Sequence, residues 1–143
     1  ITFTASWTEN SQGGDEPILT EVEFNWVKGS GTIADKVLTI VCDGYTITLA
    51  QASSTNAVVN SYDDFRMYQS TIFTITATNG KKIKSITFAD SRKSTSIKLT
   101  DTNLSYELNN NTYTITAKDA ADSISFTPNS QIRTTKITIT FVD

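Results

Sequence analysis

The stretch Lys136-Ile-Thr-Ile-Thr-Phe-Val142 decides the fold. Apolar and hydroxylated side chains alternate along it, and β-branched residues dominate. A period of two puts Ile137, Ile139 and Phe141 on one face and Thr138 and Thr140 on the other, which describes a strand with one dry and one wet side. The same rhythm returns at Ile1-Thr-Phe-Thr4, Thr46-Ile-Thr-Leu49, Phe73-Thr-Ile-Thr76 and Tyr113-Thr-Ile-Thr116. It explains why 143 residues contain 25 Thr, 15 Ile and 15 Ser. Helical periodicity is nearly absent, and even Ser61 to Gln69 reads as loop followed by strand.

Working outward, the rhythm predicts about a dozen short strands. Leu19 to Val27 carries Val22, Phe24 and Trp26 on one face and Glu21, Glu23 and Asn25 on the other. Asp43-Gly44 between Val37–Cys42 and Tyr45–Ala50 predicts a type I′ hairpin, a turn that needs positive φ at both central positions. Asn79-Gly80 predicts a second hairpin between Ile72–Thr78 and Lys82–Phe88. Asn109-Asn-Asn111 predicts a third, because Asn tolerates the left-handed conformation. Pro17 and Pro128 are expected in connections, since proline cannot donate to a ladder. No linker or tandem repeat divides the chain, so residues 1–143 read as a single domain. The expected architecture is all-β, an antiparallel two-sheet β-sandwich with jelly-roll connectivity.

Composition narrows the chemistry. The chain has no histidine, which removes the ordinary imidazole base, proton shuttle and metal ligand. A net charge of −3 offers no basic face for nucleic acid. Lys81, Lys82 and Lys84 form the densest cationic run, and they flank a turn. The single cysteine, Cys42, has no partner for an intramolecular bridge and reads as a small buried hydrophobe at a strand end. No apolar run approaches the roughly 18 residues of a membrane-spanning helix, so membrane insertion is not expected. The chain opens on a strand-like Ile1 rather than Met, which we read as a processed or excised mature form, with any leader lost.

The back half carries a recognisable order: Phe65-Arg-Met-Tyr68, Ser70-Thr-Ile-Phe-Thr-Ile-Thr76, Lys82-Ile-Lys-Ser-Ile-Thr-Phe88, Ser123-Ile-Ser-Phe-Thr127 and Ile132-Arg-Thr-Thr-Lys-Ile-Thr-Ile-Thr-Phe141. This order resembles a galactose-binding-like β-sandwich module found in secreted and surface proteins of Bacteroidetes. The resemblance covers roughly residues 20 to 143. It implies a carbohydrate-binding, adhesive or structural accessory, secreted or held at the cell surface. The chain departs from that pattern in placing Arg133 after Ile132, in its Val142-Asp143 ending, and in lacking a glycine-rich tract before the last strand.

Sugar sites on sandwich domains combine an aromatic face with amide, carboxylate or guanidinium groups. The densest such chemistry is Asn60-Ser-Tyr62-Asp63-Asp64-Phe65-Arg66: Tyr62 is the expected stacking ring, and Asp63, Asp64 and Arg66 the expected partners of hydroxyls. Arg66 paired to a neighbouring carboxylate is the alternative. Trp26 reads as core, whereas Trp7, beside the Gly13-Gly14-Asp15-Glu16 loop, is a further ligand candidate. The acid pairs Asp15/Glu16 and Asp63/Asp64 would form a glycosidase couple only if the fold aimed two carboxylates across a cleft. No cofactor is called for. A structural Ca²⁺ on these hard oxygens is the single metal the acids would suit, although no spaced Asp-x-Asp-x-Asp loop exists. Asn103-Leu-Ser105 and Asn110-Asn-Thr112 fit the N-glycosylation pattern, and Ser123 in Asp122-Ser-Ile124 resembles a short O-glycosylation signal.

Three functions follow as expectations. The first is a non-catalytic module that binds carbohydrate or matrix. The second is a filament or adhesin subunit in which Ile1, Phe3, Ala5 and Trp7 of the terminal strand complete a neighbour's sheet, making a second copy of the chain the partner. The third is a carboxylate-based glycoside hydrolase.

Overall fold

A computed structural model describes residues 17–143 of the chain. In chain order its strands are Leu19–Asn25 (β1), Thr32–Ala34 (β2), Val37–Cys42 (β3), Tyr45–Ala50 (β4), Phe65–Met67 (β5), Ile72–Ala77 (β6) and Lys82–Ala89 (β7). They continue with Ile97–Lys98 (β8), Leu104–Asn109 (β9), Thr112–Ala121 (β10), Ser123–Pro128 (β11), Ile132–Thr134 (β12) and Lys136–Val142 (β13). Among the described residues there is no helix. One sheet has the order β1-β13-β7-β10-β9, the other β2-β3-β4-β6-β11-β8, and β12 pairs with β5 as a separate ribbon. Every pairing is antiparallel.

The two-residue period positions the core. On β13, Ile137, Ile139 and Phe141 are buried while the threonines between them are half-buried on the outer side. Register then stacks like on like across neighbouring strands. Ile40, Ile47, Ile75 and Ile124 form one inward rung, and Leu38, Leu49, Phe73 and Phe126 the next. The facing sheet answers with Phe24, Ile137, Phe88, Tyr113 and Leu108. Outward, Thr32, Thr39, Thr48, Thr74 and Ser125 lie on one rung, with Thr74 and Ser125 hydroxyls 2.7 Å apart. Cross-strand pairs of this kind are the unit of sheet stability.

The two sheets meet through aromatic contacts. Phe88 stacks on Phe126 with centroids 5.4 Å apart, and Tyr45 lies 6.3 Å from Phe141. The β5–β12 ribbon joins both layers at one place. Phe65 on β5 stacks on Trp26 at 5.0 Å and reaches Phe24 of one sheet and Phe73 of the other. The buried residues form one cluster that includes both sheets and the ribbon. The antiparallel sandwich expected from the rhythm is therefore the fold. Jelly-roll connectivity is a finer assignment than these strand orders carry.

Several local expectations are corrected. Asn79-Gly80 does not close a hairpin, because β6 and β7 belong to different sheets; the turn carries the chain from one layer to the other. There Asn79 Oδ1 accepts from the Lys81 N–H at 3.0 Å, and Gly80 supplies the positive φ. Asp43-Gly44 does close its hairpin, but Gly44 alone has positive φ, at 90°, so the turn is not type I′. The turns with two positive φ angles are Asp35-Lys36, between β2 and β3, and Asn110-Asn111, between β9 and β10. Pro128 ends β11 within a ladder, opposite Ile97.

Candidate functional site

The expected site begins at a loop sewn to a distant segment. Trp26 Nε1 donates to the Tyr62 carbonyl at 2.9 Å, the Gly29 N–H to the Asn60 carbonyl at 2.7 Å, and Asn60 Nδ2 to the Ser30 carbonyl at 2.9 Å. These bonds fix where Tyr62 emerges, and the residue keeps 40% of its surface exposed. The chain then enters β5, where Phe65 and Met67 are fully buried and Arg66 between them projects outward. Trp26 is thus core, as its strand position predicts, and it also carries the loop.

Arg66 draws its neighbours together. Its Nε donates to Asp64 Oδ1 at 2.8 Å, and its guanidinium carbon sits 3.4 Å from the Tyr62 ring centroid. The Asp64 carboxylate, as hydrogen-bond acceptor first, holds the guanidinium pKa above its ordinary value. The side chain is only 18% exposed, so ring, cation and carboxylate form an ordered stack rather than three solvated groups. One face of Tyr62 is occupied by Arg66. Asp63 is exposed beside this stack. Of the expected residues, the fold brings Tyr62, Asp64 and Arg66 into contact.

Two residues that sequence reasoning passed over complete the region. Arg133 on β12 is the direct cross-strand partner of Arg66. Its Nε is buried and has no hydrogen-bond partner. Asp90 follows β7 and is 2% exposed. Its Oδ1 accepts from the Arg92 and Arg133 backbone N–H groups at 2.8 and 3.0 Å, and its Oδ2 from the Ser94 N–H at 2.8 Å. A cleft of about 240 Å³ is lined by Asp64, Asp90, Ser91, Arg133, Thr134 and Thr135. No local signal marks Arg133 or Asp90, because their meaning depends on a register that joins segments more than forty positions apart.

A second cleft, about 390 Å³, lies at the end of the other sheet between Ser53, Ser70, Lys98, Thr127 and Asn129. Neither cleft has an aromatic ring in its lining, but Asp64 of the first also belongs to the stack that holds Tyr62.

The modification candidates differ. Asn103 clamps β9 to the irregular part of β10: its Nδ2 donates to the Asp119 carbonyl at 2.8 Å and its Oδ1 accepts the Asp119 N–H at 2.9 Å. The amide that would carry a glycan is part of the fold. Asn110 sits exposed at a hairpin tip. Ser123 is half-buried at the start of β11. Cys42 is half-buried, and burial pushes its thiol pKa up. Ile1, Phe3, Ala5, Trp7, Asp15 and Glu16 lie outside the described residues. Among the described residues, no group of three or more His, Cys, Asp or Glu side chains is arranged to hold a metal ion.

No protein-family model matches the chain, and no curated protein or solved structure matches it either.

Proposed function

We propose that the protein is a non-catalytic β-sandwich module, extracellular or at the cell surface, that binds carbohydrate through Tyr62, Asp64 and Arg66, with Asp63 at the rim. The observation that carries this reading is the Tyr62–Arg66–Asp64 stack beside an open cleft. An exposed aromatic ring meets a fixed guanidinium and carboxylate in the stack, and Asp64 of the stack also lines the cleft, which is chemistry a pyranose can use. Tyr62 offers its exposed surface to the apolar side of a ring, while the cleft groups meet hydroxyls. The likeness to galactose-binding-like modules supports the same reading through strand pattern alone. Asp64, one member of the only pair of adjacent acids among the described residues, is engaged by a guanidinium, which favours binding over hydrolysis.

A glycan array probed with the purified chain tests this. Binding to at least one glycan is expected, with a loss of roughly ten-fold or more in both Tyr62→Ala and Arg66→Ala, since each removes a contact worth about 1–3 kcal/mol. Absence of any hit, or a hit undiminished in the double variant, rules the site out.

A further inference from the structure

Arg66 and Arg133 stand directly opposite each other on a two-stranded ribbon. The residues flanking them, Phe65, Met67, Ile132 and Thr134, are all buried, so both arginines emerge on the same outer face. Like charges placed directly opposite destabilise an antiparallel pair. Only one of the two guanidiniums is compensated by an ion pair among the described residues: Asp64 holds Arg66. The buried Nε of Arg133 has no partner, and a buried donor left unsatisfied is costly.

The carboxylates near the cleft do not answer this. Asp90 already accepts three backbone N–H groups, and Asp64 accepts Arg66. Asp63, the remaining acid of the loop, is exposed and does not line the cleft. In number the local charges nearly balance; in pairing they do not, since Arg133 lines the cleft without an ion pair among the described residues. A guanidinium fork matches an oxyanion in two-pronged fashion.

We propose that Arg133, with Arg66 beside it, receives the oxyanion of an acidic sugar whose ring lies against Tyr62, so that the site selects uronate- or sulfate-bearing glycans over neutral ones. This rests on the carbohydrate reading above and adds the class of glycan. Arg133 becomes the residue that sets selectivity, and Tyr62 the residue that supplies general affinity.

The test uses the full chain and two matched pairs of polymers: polygalacturonate against its methyl ester, and dextran sulfate against dextran. The measurement is affinity electrophoresis or calorimetry. At least one acidic polymer is expected to bind roughly ten-fold or more tighter than its neutral counterpart, as loss of a charge-assisted contact requires. Which pair shows the difference tells carboxylate from sulfate. Arg133→Gln is expected to abolish the difference without lowering the melting temperature, because it relieves the like-charge pairing with Arg66. Equal affinity within both pairs overturns the acidic selectivity while leaving the carbohydrate reading intact. Selectivity that survives Arg133→Gln overturns the role of Arg133. Binding to none of these polymers overturns the proposal, and silence on a broad glycan array as well removes the carbohydrate reading with it.

Discussion

At the scale of single residues, Asp90 organises the end of the molecule where the candidate site lies. Its carboxylate ties the turn after β7 to β12 by accepting the Arg92, Ser94 and Arg133 N–H groups. Its own N–H reaches the Asn111 carbonyl at 2.8 Å, which connects the β9–β10 hairpin tip to the same point. Asp90→Asn keeps the shape but sets an amide NH₂ against one of these donors. We expect a loss of about 1–3 kcal/mol in urea unfolding, and a larger loss for Asp90→Ala, which leaves all three donors unmet. Unchanged stability in both variants would show that the turn holds without its carboxylate. This residue also marks the limit of what the sequence discloses about the site. Tyr62, Asp64 and Arg66 are legible because they lie within five positions, where local chemistry is visible to the eye. Asp90 and Arg133 are not, because a backbone-accepting carboxylate and an unpartnered guanidinium acquire meaning only when the ribbon register is known.

At the scale of elements, turn chemistry decides which strands become neighbours. Asn110 and Asn111 hold φ angles of 50° and 65°, so the β9–β10 hairpin is closed by two non-glycine residues in the left-handed region. That conformation costs most L-residues roughly 1–2 kcal/mol each, and Asn tolerates it best. Asn110→Ala and Asn111→Ala are each expected to destabilise the fold by about 1 kcal/mol, whereas Asn111→Gly is expected to hold or raise stability. A flat urea midpoint across the three variants would mean that pairing of β9 with β10 does not depend on its turn. Strand existence was readable for most of the described strands, since period-two alternation is a local property. Connectivity was less so. The sequence pair Asn79-Gly80 looks like a hairpin, yet its strands lie in opposite layers, and nothing local distinguishes a turn that pairs its flanks from one that carries the chain across the core. The pair Asp35-Lys36 errs in the other direction, closing a type I′ hairpin without a glycine. Its partner β2 spans three exposed residues, too short to show a rhythm.

At the scale of the whole molecule, the dense core makes stability depend on alkaline pH. Tyr45 and Tyr113 are buried between the sheets, and each phenol pKa is held above its ordinary value of 10.0. For Tyr45 the cause is burial first, then the nearby Cys42; for Tyr113 it is burial, opposed by the hydrogen bond of its hydroxyl with Ser94 at 2.8 Å. The thiol of Cys42 is likewise raised from 9.0 by burial. All three are acids whose neutral form the fold prefers. In the unfolded chain they lose their protons near their ordinary values, while the folded chain still keeps them. The folded state then carries the extra protons, so raising the pH draws the equilibrium toward unfolding. The contribution is fully present below pH 9.0 and is lost progressively as the pH rises past 10.0. Urea midpoints are therefore expected to stay level with respect to these groups up to about the thiol's ordinary value and to fall steeply beyond the phenols'. Tyr45→Phe keeps the ring beside Phe141 but removes the titrating hydroxyl, so it should lessen that fall. A Tyr45→Phe variant as alkali-sensitive as the wild type would show that the loss at high pH does not arise at Tyr45.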